Sequence, residues 1–281
     1  MKQMFNQQIL IYVPAYNCAR YLVSTLSKIP QELTQIADIV VIDNCSNDGT
    51  SEAVLQAQSD GTLPFDLTVI RTDSNLGYAG SQKLAYTLAI DNPTVRWVIM
   101  LHGDGQYAPE LMRLYQPYFD SNCAAVYGHR SKAVYGQVEE TPLRVWVVIK
   151  ALSILESLVT GIWRHEWHTG FTMYATDFLR ELDLNALTHT PHIDGHLLYA
   201  AGALKKPVGA VPIYKLYKEL TPFEGHERRQ YVIDVLTLMF KFRRMPVRRT
   251  NKSEPFEASF KVVTDPSQRK APTDMGVVIE G

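Results

Sequence analysis

The apolar run Trp97–Leu101 (WVIML) stops abruptly at His102-Gly103-Asp104-Gly105, and this arrest constrains the fold more than any other stretch. A short apolar run closed by a Gly-bearing turn predicts a buried strand. Ala108-Pro109-Glu110 then predicts a helix start, with Pro where a missing N–H costs nothing. The same event recurs along the chain. Ile9–Val13 stops at Pro14, Ile39–Ile42 stops at Asp43, and Leu67–Ile70 leads to Asn75-Leu76-Gly77-Tyr78-Ala79-Gly80. Helical stretches are predicted between these runs, over 20–28 and up to about Ile90. Strands alternating with helices predict a mostly parallel sheet with crossovers. Ligands of such sheets sit outside the carboxyl ends of the strands. That edge should therefore gather Asn17, Asp43, Asn44, Asp48 and Asp104. Asp104 lies between two glycines that would let a ligand approach the backbone. Its carboxylate can hold a hard divalent cation, and the cation can hold phosphates. The alternative is a β-turn in which Asp and Gly only make the turn. Asp43 or Asn44 can accept a hydrogen bond from a base or ribose. Asp48 reads as a turn or cap residue.

The 281 residues are 46% hydrophobic and 20% charged, enough for a large core. A net charge of -1 gives no global field that would attract nucleic acid. Cys18, Cys45 and Cys123 are odd in number and widely spaced, which suits a reducing compartment rather than a disulfide framework. The start, MKQMFNQQ, is too polar for a signal peptide. No stretch of about 20 residues is free of charge, so no transmembrane helix is expected.

VPAYN (13–17), IDNCSNDGT (42–50), NLGYAG (75–80) and HGDGQYAPE (102–110) follow one another as in family-2 glycosyltransferases. The chain most resembles the dolichol-phosphate mannose synthase-like branch. His168-Thr169-Gly170-Phe171, Ile193-Asp194-Gly195 and Val211-Pro212-Ile213 resemble later blocks of that branch. The resemblance covers about residues 8 to 220. It implies an α/β GT-A fold over 1–220, a nucleoside-diphosphate sugar donor, a Mg²⁺ or Mn²⁺ ion, and inversion at the sugar carbon. By motif position it implies that Pro14, Ala15, Tyr16, Asn17, Asp43, Asn44, Ser46, Asn75, Gly77, Gly80, Lys83 and Gly103 hold the nucleotide sugar. It gives Asp104 the metal and diphosphate, with His102 as a further ligand. Three departures stand out. Asn44 replaces an acid in the base-binding loop. His102 replaces the first carboxylate of a DxD motif, and His suits Mg²⁺ poorly, so metal affinity should weaken or shift toward Mn²⁺. Asp194-Gly195-His196 keeps one acid of a pair.

Val126–Arg130 resembles a Gly-Ser-Arg block whose arginine helps hold an acceptor phosphate, with Lys132 nearby; the alternative is a surface Arg–carboxylate pair. Pro142–Trp163 reads as a helix whose polar stripe is Lys150, Ser153, Ser157 and Thr160. The rest of its surface is apolar, so it is either core or a helix at a membrane surface. Asp194 can serve as general base to a hydroxyl acceptor, whereas a lipid phosphate needs none; a cap is the alternative. His165 and His168 with Glu166 lack zincin spacing, and His189, His192 and His196 read as loop or core histidines. A helix over 229–242 leads into six Lys/Arg and no acid between Lys241 and Lys252. That helix and basic segment, 221–250, suits docking on anionic lipid or a solvated tail. Residues 251–281 read as disordered. The expected activity is sugar transfer to a polyprenyl phosphate, by a cytoplasmic protein peripheral to the inner membrane face. A soluble or polysaccharide hydroxyl acceptor is the alternative, as is a nucleotide-sugar binding module without catalysis. A nucleotidyltransferase would show a Gly-rich loop with Lys after the first strand, and VPAYNCAR has neither.

Overall fold

Every residue of Ala37–Asp43 (β2) is buried, as expected of a strand covered by helices on both faces. The computed structural model describes residues 4–131, 133–134, 137–138, 140–216, 225–241 and 248–263. Around β2 run β1 (Ile9–Ala15), α1 (Ala19–Leu26), α2 (Gln31–Thr34), α3 (Thr50–Ser59), β3 (Thr68–Thr72), α4 (Gly77–Ile90) and β4 (Trp97–Met100). A 3-10 helix, Pro109–Tyr118, follows, with Pro117 inside it. Then come β5 (Ala125–Arg130), β6 (Ala133–Val134), β7 (Gln137–Val138), α5 (Leu143–Thr160), β8 (Thr172–Ala175), α6 (Thr176–Arg180), α7 (Ile193–Ala203), β9 (Val208–Ile213), α8 (Gly225–Lys241) and β10 (Phe260–Val262).

The main sheet has eight strands in the order β10-β3-β2-β1-β4-β8-β5-β9. Strands β1 to β4 pair in parallel, as do β5 and β9, whereas β8 and β10 pair antiparallel with their neighbours. This is the expected α/β, mostly parallel architecture. Ala15 lies opposite Asp43, and Asp43 opposite Arg71, so the carboxyl ends of β1, β2 and β3 share one edge. Leu101 donates its N–H to Tyr12 O, which brings the turn after β4 to the same edge.

Two expectations fail. Residues from Asn251 read as disordered, yet Phe260–Val262 forms an edge strand on β3, and Val263 N–H donates to Val69 O. The sheet edge offers unpaired backbone groups, and those groups order a polar segment that has no periodicity of its own. The second failure is α5. Its polar residues Ser153, Glu156, Ser157 and Thr160 are the buried ones, while Leu143, Val147, Val148, Ile154 and Leu158 face water. Of the two readings, core packing therefore does not hold for these five side chains, although Val159 packs against the core. Lys132, Arg243 and Arg244 lie outside the described residues.

Candidate active site

Asn44 is the hub of the edge. It is buried, its N–H donates to Ala15 O (2.8 Å), and its Nδ2 donates to Asn75 Oδ1 (2.8 Å). Its Oδ1 accepts the Leu76 N–H at 2.7 Å. An aspartate here could not donate to Asn75, so the amide has a structural reason: it ties the ends of β1 and β2 to the start of α4. Asp43 is also fully buried. Its Oδ1 accepts the Ser46 N–H (2.8 Å), and its Oδ2 takes Ser51 Oγ and Arg71 Nη1, the latter at 3.1 Å. Asn17 joins in through Ser46, whose Oγ accepts the Asn17 N–H at 3.0 Å, and Tyr16 is half exposed. Asn17 and Cys45 both have left-handed backbones, at φ 48° and 61°. Asn adopts that region readily; Cys does so under strain, and such strain gathers where a loop is held for a purpose. Asp48 acts as the sequence suggested, capping with its carboxylate the Ala19 and Thr50 N–H groups.

At Gly103 a Cβ would lie 3.1 Å from Pro14 O, 3.2 Å from Leu22 Cδ1 and 3.3 Å from Cys18 Sγ, so the missing side chain lets the turn seat closely against β1. Asp104 is partly exposed at the tip, with Oδ1 accepting the Gln106 N–H at 2.9 Å. Among the described residues it belongs to no group of three metal-ligand side chains. One carboxylate still fits a Mg²⁺-like ion, which keeps several waters and relies on substrate phosphates for the rest of its shell.

His102 packs between Tyr78 and Tyr107, with ring centroids 5.7 and 5.0 Å away. Its Nε2 is 3.4 Å from Tyr78 Oη, and a Cβ on Gly170 would come within 2.2 Å of it. Only Nδ1 is left to consider a metal. Burial lowers its pKa; Asp104 pulls the other way, and Lys215 adds to the lowering. Lys215 sits over the Tyr107 ring at 5.0 Å. Lys215 and Arg71 are edge cations that the sequence reading missed. Their only local signal is a basic residue one or two positions beyond, or at the end of, a strand.

Behind His102, Tyr78 Oη donates to Asp194 Oδ2 at 3.0 Å, so His102, Tyr78 and Asp194 form one line. Asp194 is 3% exposed and also accepts from Gln82, Thr172 and Tyr174. It lies in the first turn of α7, not at its cap. Burial outweighs these four donors and pushes its pKa up from 3.8 to about 6. Between those two values the folded state holds a proton that the unfolded chain has lost. Stability should therefore fall as pH rises from about 4 to about 6 and stay level above, by on the order of 3 kcal/mol. Asp194→Asn keeps an acceptor and cannot ionise, so urea melts across that range should lose this slope. An unchanged slope would assign it to another group. Glu156 acts at lower pH and with the opposite sign, since it is held at about 2.

Lys83, expected at the site, lies elsewhere. Lys83 is fully buried, with Nζ donating to Leu187 O at 2.8 Å, and desolvation lowers its pKa to about 8. It is six residues, about 9 Å, into α4 and does not reach the edge. The Gly80 backbone packs under Leu76, where a Cβ would lie 2.6 Å from Leu76 Cβ, while Gly77, at φ 69°, starts the helix. Arg130 ends β5 in a buried pair rather than a surface one. Its Nε is 3.2 Å from Glu166 Oε1, its N–H donates to Glu166 Oε2, and its Nη2 donates to His168 O at 2.9 Å.

The family model described as Glycosyl transferase family 2 matches residues 10–183. Among solved structures, the chain is similar to glucosyl-3-phosphoglycerate synthase from Mycobacterium tuberculosis with Mn²⁺, uridine diphosphate and phosphoglyceric acid. That likeness has 12% identity and a TM-score of 0.61, over 84% of this chain and 79% of that one. The same enzyme with Mg²⁺ and uridine diphosphate gives 14% identity and a TM-score of 0.60, over 83% and 79% of the two chains. A mannosyltransferase from Pyrobaculum calidifontis with GDP-Man and Mn²⁺ gives 17% identity and a TM-score of 0.57, over 89% of this chain and 66% of that one. Likenesses at these identities establish the shared fold.

Proposed function

Because the chain belongs to glycosyl transferase family 2 and is a glycosyltransferase, we propose that it moves a sugar from a nucleoside-diphosphate donor to a polyprenyl phosphate at a membrane surface. The acceptor reading rests on the outward apolar face of α5. Leu143 is 70% exposed, Leu158 67% and the nearby Trp163 67%, while the buried face of the helix is Ser, Glu, Ser and Thr. An apolar face turned to water marks a contact surface, and on an amphipathic helix it suits a lipid interface. No helix among the described residues is long and apolar enough to cross a membrane. The basic segment supports this less than its composition suggests. Arg248 and Arg249 pair with Leu182 and Glu181, just beyond the β8–α6 junction where Ala175 pairs with Trp97 at the start of β4. That is the end of the sheet opposite Asp104.

The chemistry fits the same acceptor. A phosphate oxygen, already anionic, attacks the sugar's anomeric carbon. The bond from that carbon to the diphosphate breaks on the opposite side, and the nucleoside diphosphate leaves with the electron pair, inverting the centre. No base is needed, which agrees with the burial of Asp194 behind Tyr78. A Mg²⁺ or Mn²⁺ ion held at Asp104 would offset charge on the leaving diphosphate. Lys215 adds a positive charge on the same side, and Arg71 with Asn17, Tyr16 and Ser46 borders the nucleoside. Arg130 acts from the acceptor side by fixing the His168 loop through Glu166.

Flotation with anionic vesicles tests this reading. Leu143→Asp/Leu158→Asp should lower vesicle partitioning by about 100-fold or more, since burial of each leucine is worth about 1.5 kcal/mol or more. Both residues face water, so folding and turnover of a water-soluble short-chain prenyl phosphate should hold within a few fold. Wild-type protein that does not float at low salt, yet glycosylates a soluble glycan efficiently, would sink the lipid acceptor. The His102–Tyr78–Asp194 line would then be the proton path to study.

A further inference from the structure

Beneath the His168 loop is a cluster that sugar transfer as described leaves unused. Glu156 comes from α5, His168 from the loop before β8, and His192 from the residue before α7. Their side chains are 0–2% exposed. One ligand atom from each lies within 4.8 Å of the others. Glu156 Oε2 is 2.8 Å from His168 Nε2, and Glu156 Oε1 is 3.1 Å from His192 Nε2.

Both contacts set a carboxylate oxygen against an imidazole Nε2 in a buried pocket, so three donor atoms of metal-ligand type gather in one place.

Tyr231 on α8 supplies an independent observation. Its Oη is 2.8 Å from His168 Nδ1 and 3.3 Å from His192 Nδ1. One phenol proton can serve only one of two imidazoles. If both Nε2 atoms instead give their lone pairs to a metal, both neutral rings carry their proton on Nδ1, and both can donate to the Tyr231 oxygen. Metal-bound histidines are usually oriented in this way, by an acceptor on the far ring nitrogen. Tyr199 Oη donates to Glu156 Oε1 and lies 3.3 Å from His192 Nε2, so it borders the same point.

We propose that Glu156, His168 and His192 form a second, buried transition-metal site, separate from Asp104, and that zinc is the ion it takes. Two imidazoles and one carboxylate are a zinc donor set and a poor one for Mg²⁺ or Ca²⁺. The ion would join α5, the His168 loop and α7, with α8 held through Tyr231. The loop it pins presents the His168 carbonyl to Arg130, and its Gly170 abuts His102. The site would thus brace the acceptor side of the edge without touching the donor.

Elemental analysis of the whole protein, purified without a metal-affinity step, decides the matter. About one zinc per chain should survive dialysis, in wild type and in Asp104→Asn alike. His168→Ala and His192→Ala should lose it. So should Glu156→Gln, which keeps its size and an acceptor for Tyr199 and so guards against simple misfolding. Co²⁺ added to metal-free wild type should give the visible absorption of a four-coordinate site, and zinc should displace it. Folded wild type that holds less than a tenth of an ion per chain, and gains no Tm with zinc, Co²⁺ or Mn²⁺, would overturn the proposal. Metal uptake abolished by Asp104→Asn and untouched by the three cluster variants would overturn it equally.

Discussion

Asp104→Asn should reduce sugar transfer by about 1,000-fold or more while the protein stays folded. Asn retains an oxygen for the Gln106 N–H that Asp104 Oδ1 accepts at 2.9 Å, so the turn after β4 should persist. What disappears is the only carboxylate of the motif, because His102 replaces the other and turns its Nε2 toward Tyr78 and Gly170. A second acid would have softened the loss. Donor hydrolysis should fall in parallel with transfer, since both release the same diphosphate. Initial rates with a panel of nucleotide sugars and Mn²⁺, beside a circular-dichroism melt, make the measurement. A variant within a few fold of wild type would remove Asp104 from the site.

Arg130→Ala should be the most damaging single change to stability. Arg130 pairs with Glu166 at 3.2 Å, both side chains being 5% exposed or less, and its own N–H binds the second oxygen of the same carboxylate. Removing the guanidinium leaves Glu166 buried with, among the described residues, Lys150 3.5 Å away to offset its charge. Breaking such a pair from one side costs about 3–5 kcal/mol, a Tm drop on the order of 10 °C for a domain of this size. Adding Glu166→Gln should recover much of that loss, because the orphaned charge is then gone. An Arg130→Ala protein that melts with wild type would show that the pair contributes little. At a temperature where the variant is folded, transfer to a lipid phosphate should fall more than donor hydrolysis does. Equal losses would place Arg130 outside the acceptor side.

Strands β1 to β4, read as ending on one edge, do so, because each carries its own signal, an apolar run followed by polar or Gly-bearing residues, although β1 runs on through Pro14 to Ala15. Strand β8 was not readable. It is four residues long, follows the His168 loop, and becomes a strand only because β4 and β5 flank it. The same holds for β10, which the exposed edge of β3 orders.

The sequence by itself determined the alternation of strands and helices, the edge on which Asn17, Asp43, Asn44 and Asp104 collect, and the family motifs that lie there. Those properties depend on neighbours within a few residues. Only the tertiary structure decided which polar groups remain for a ligand. Asn44 meets Asn75 across 31 positions and Asp194 meets Tyr78 across 116, and each such contact takes a group that a motif had left open. Periodicity likewise showed that α5 has a polar stripe and an apolar face but not which one turns inward. The inward face was set by what waits there. His168 and His192 receive Glu156, and Trp167 receives Ser157, so polar partners buried the polar stripe and left the leucines facing water.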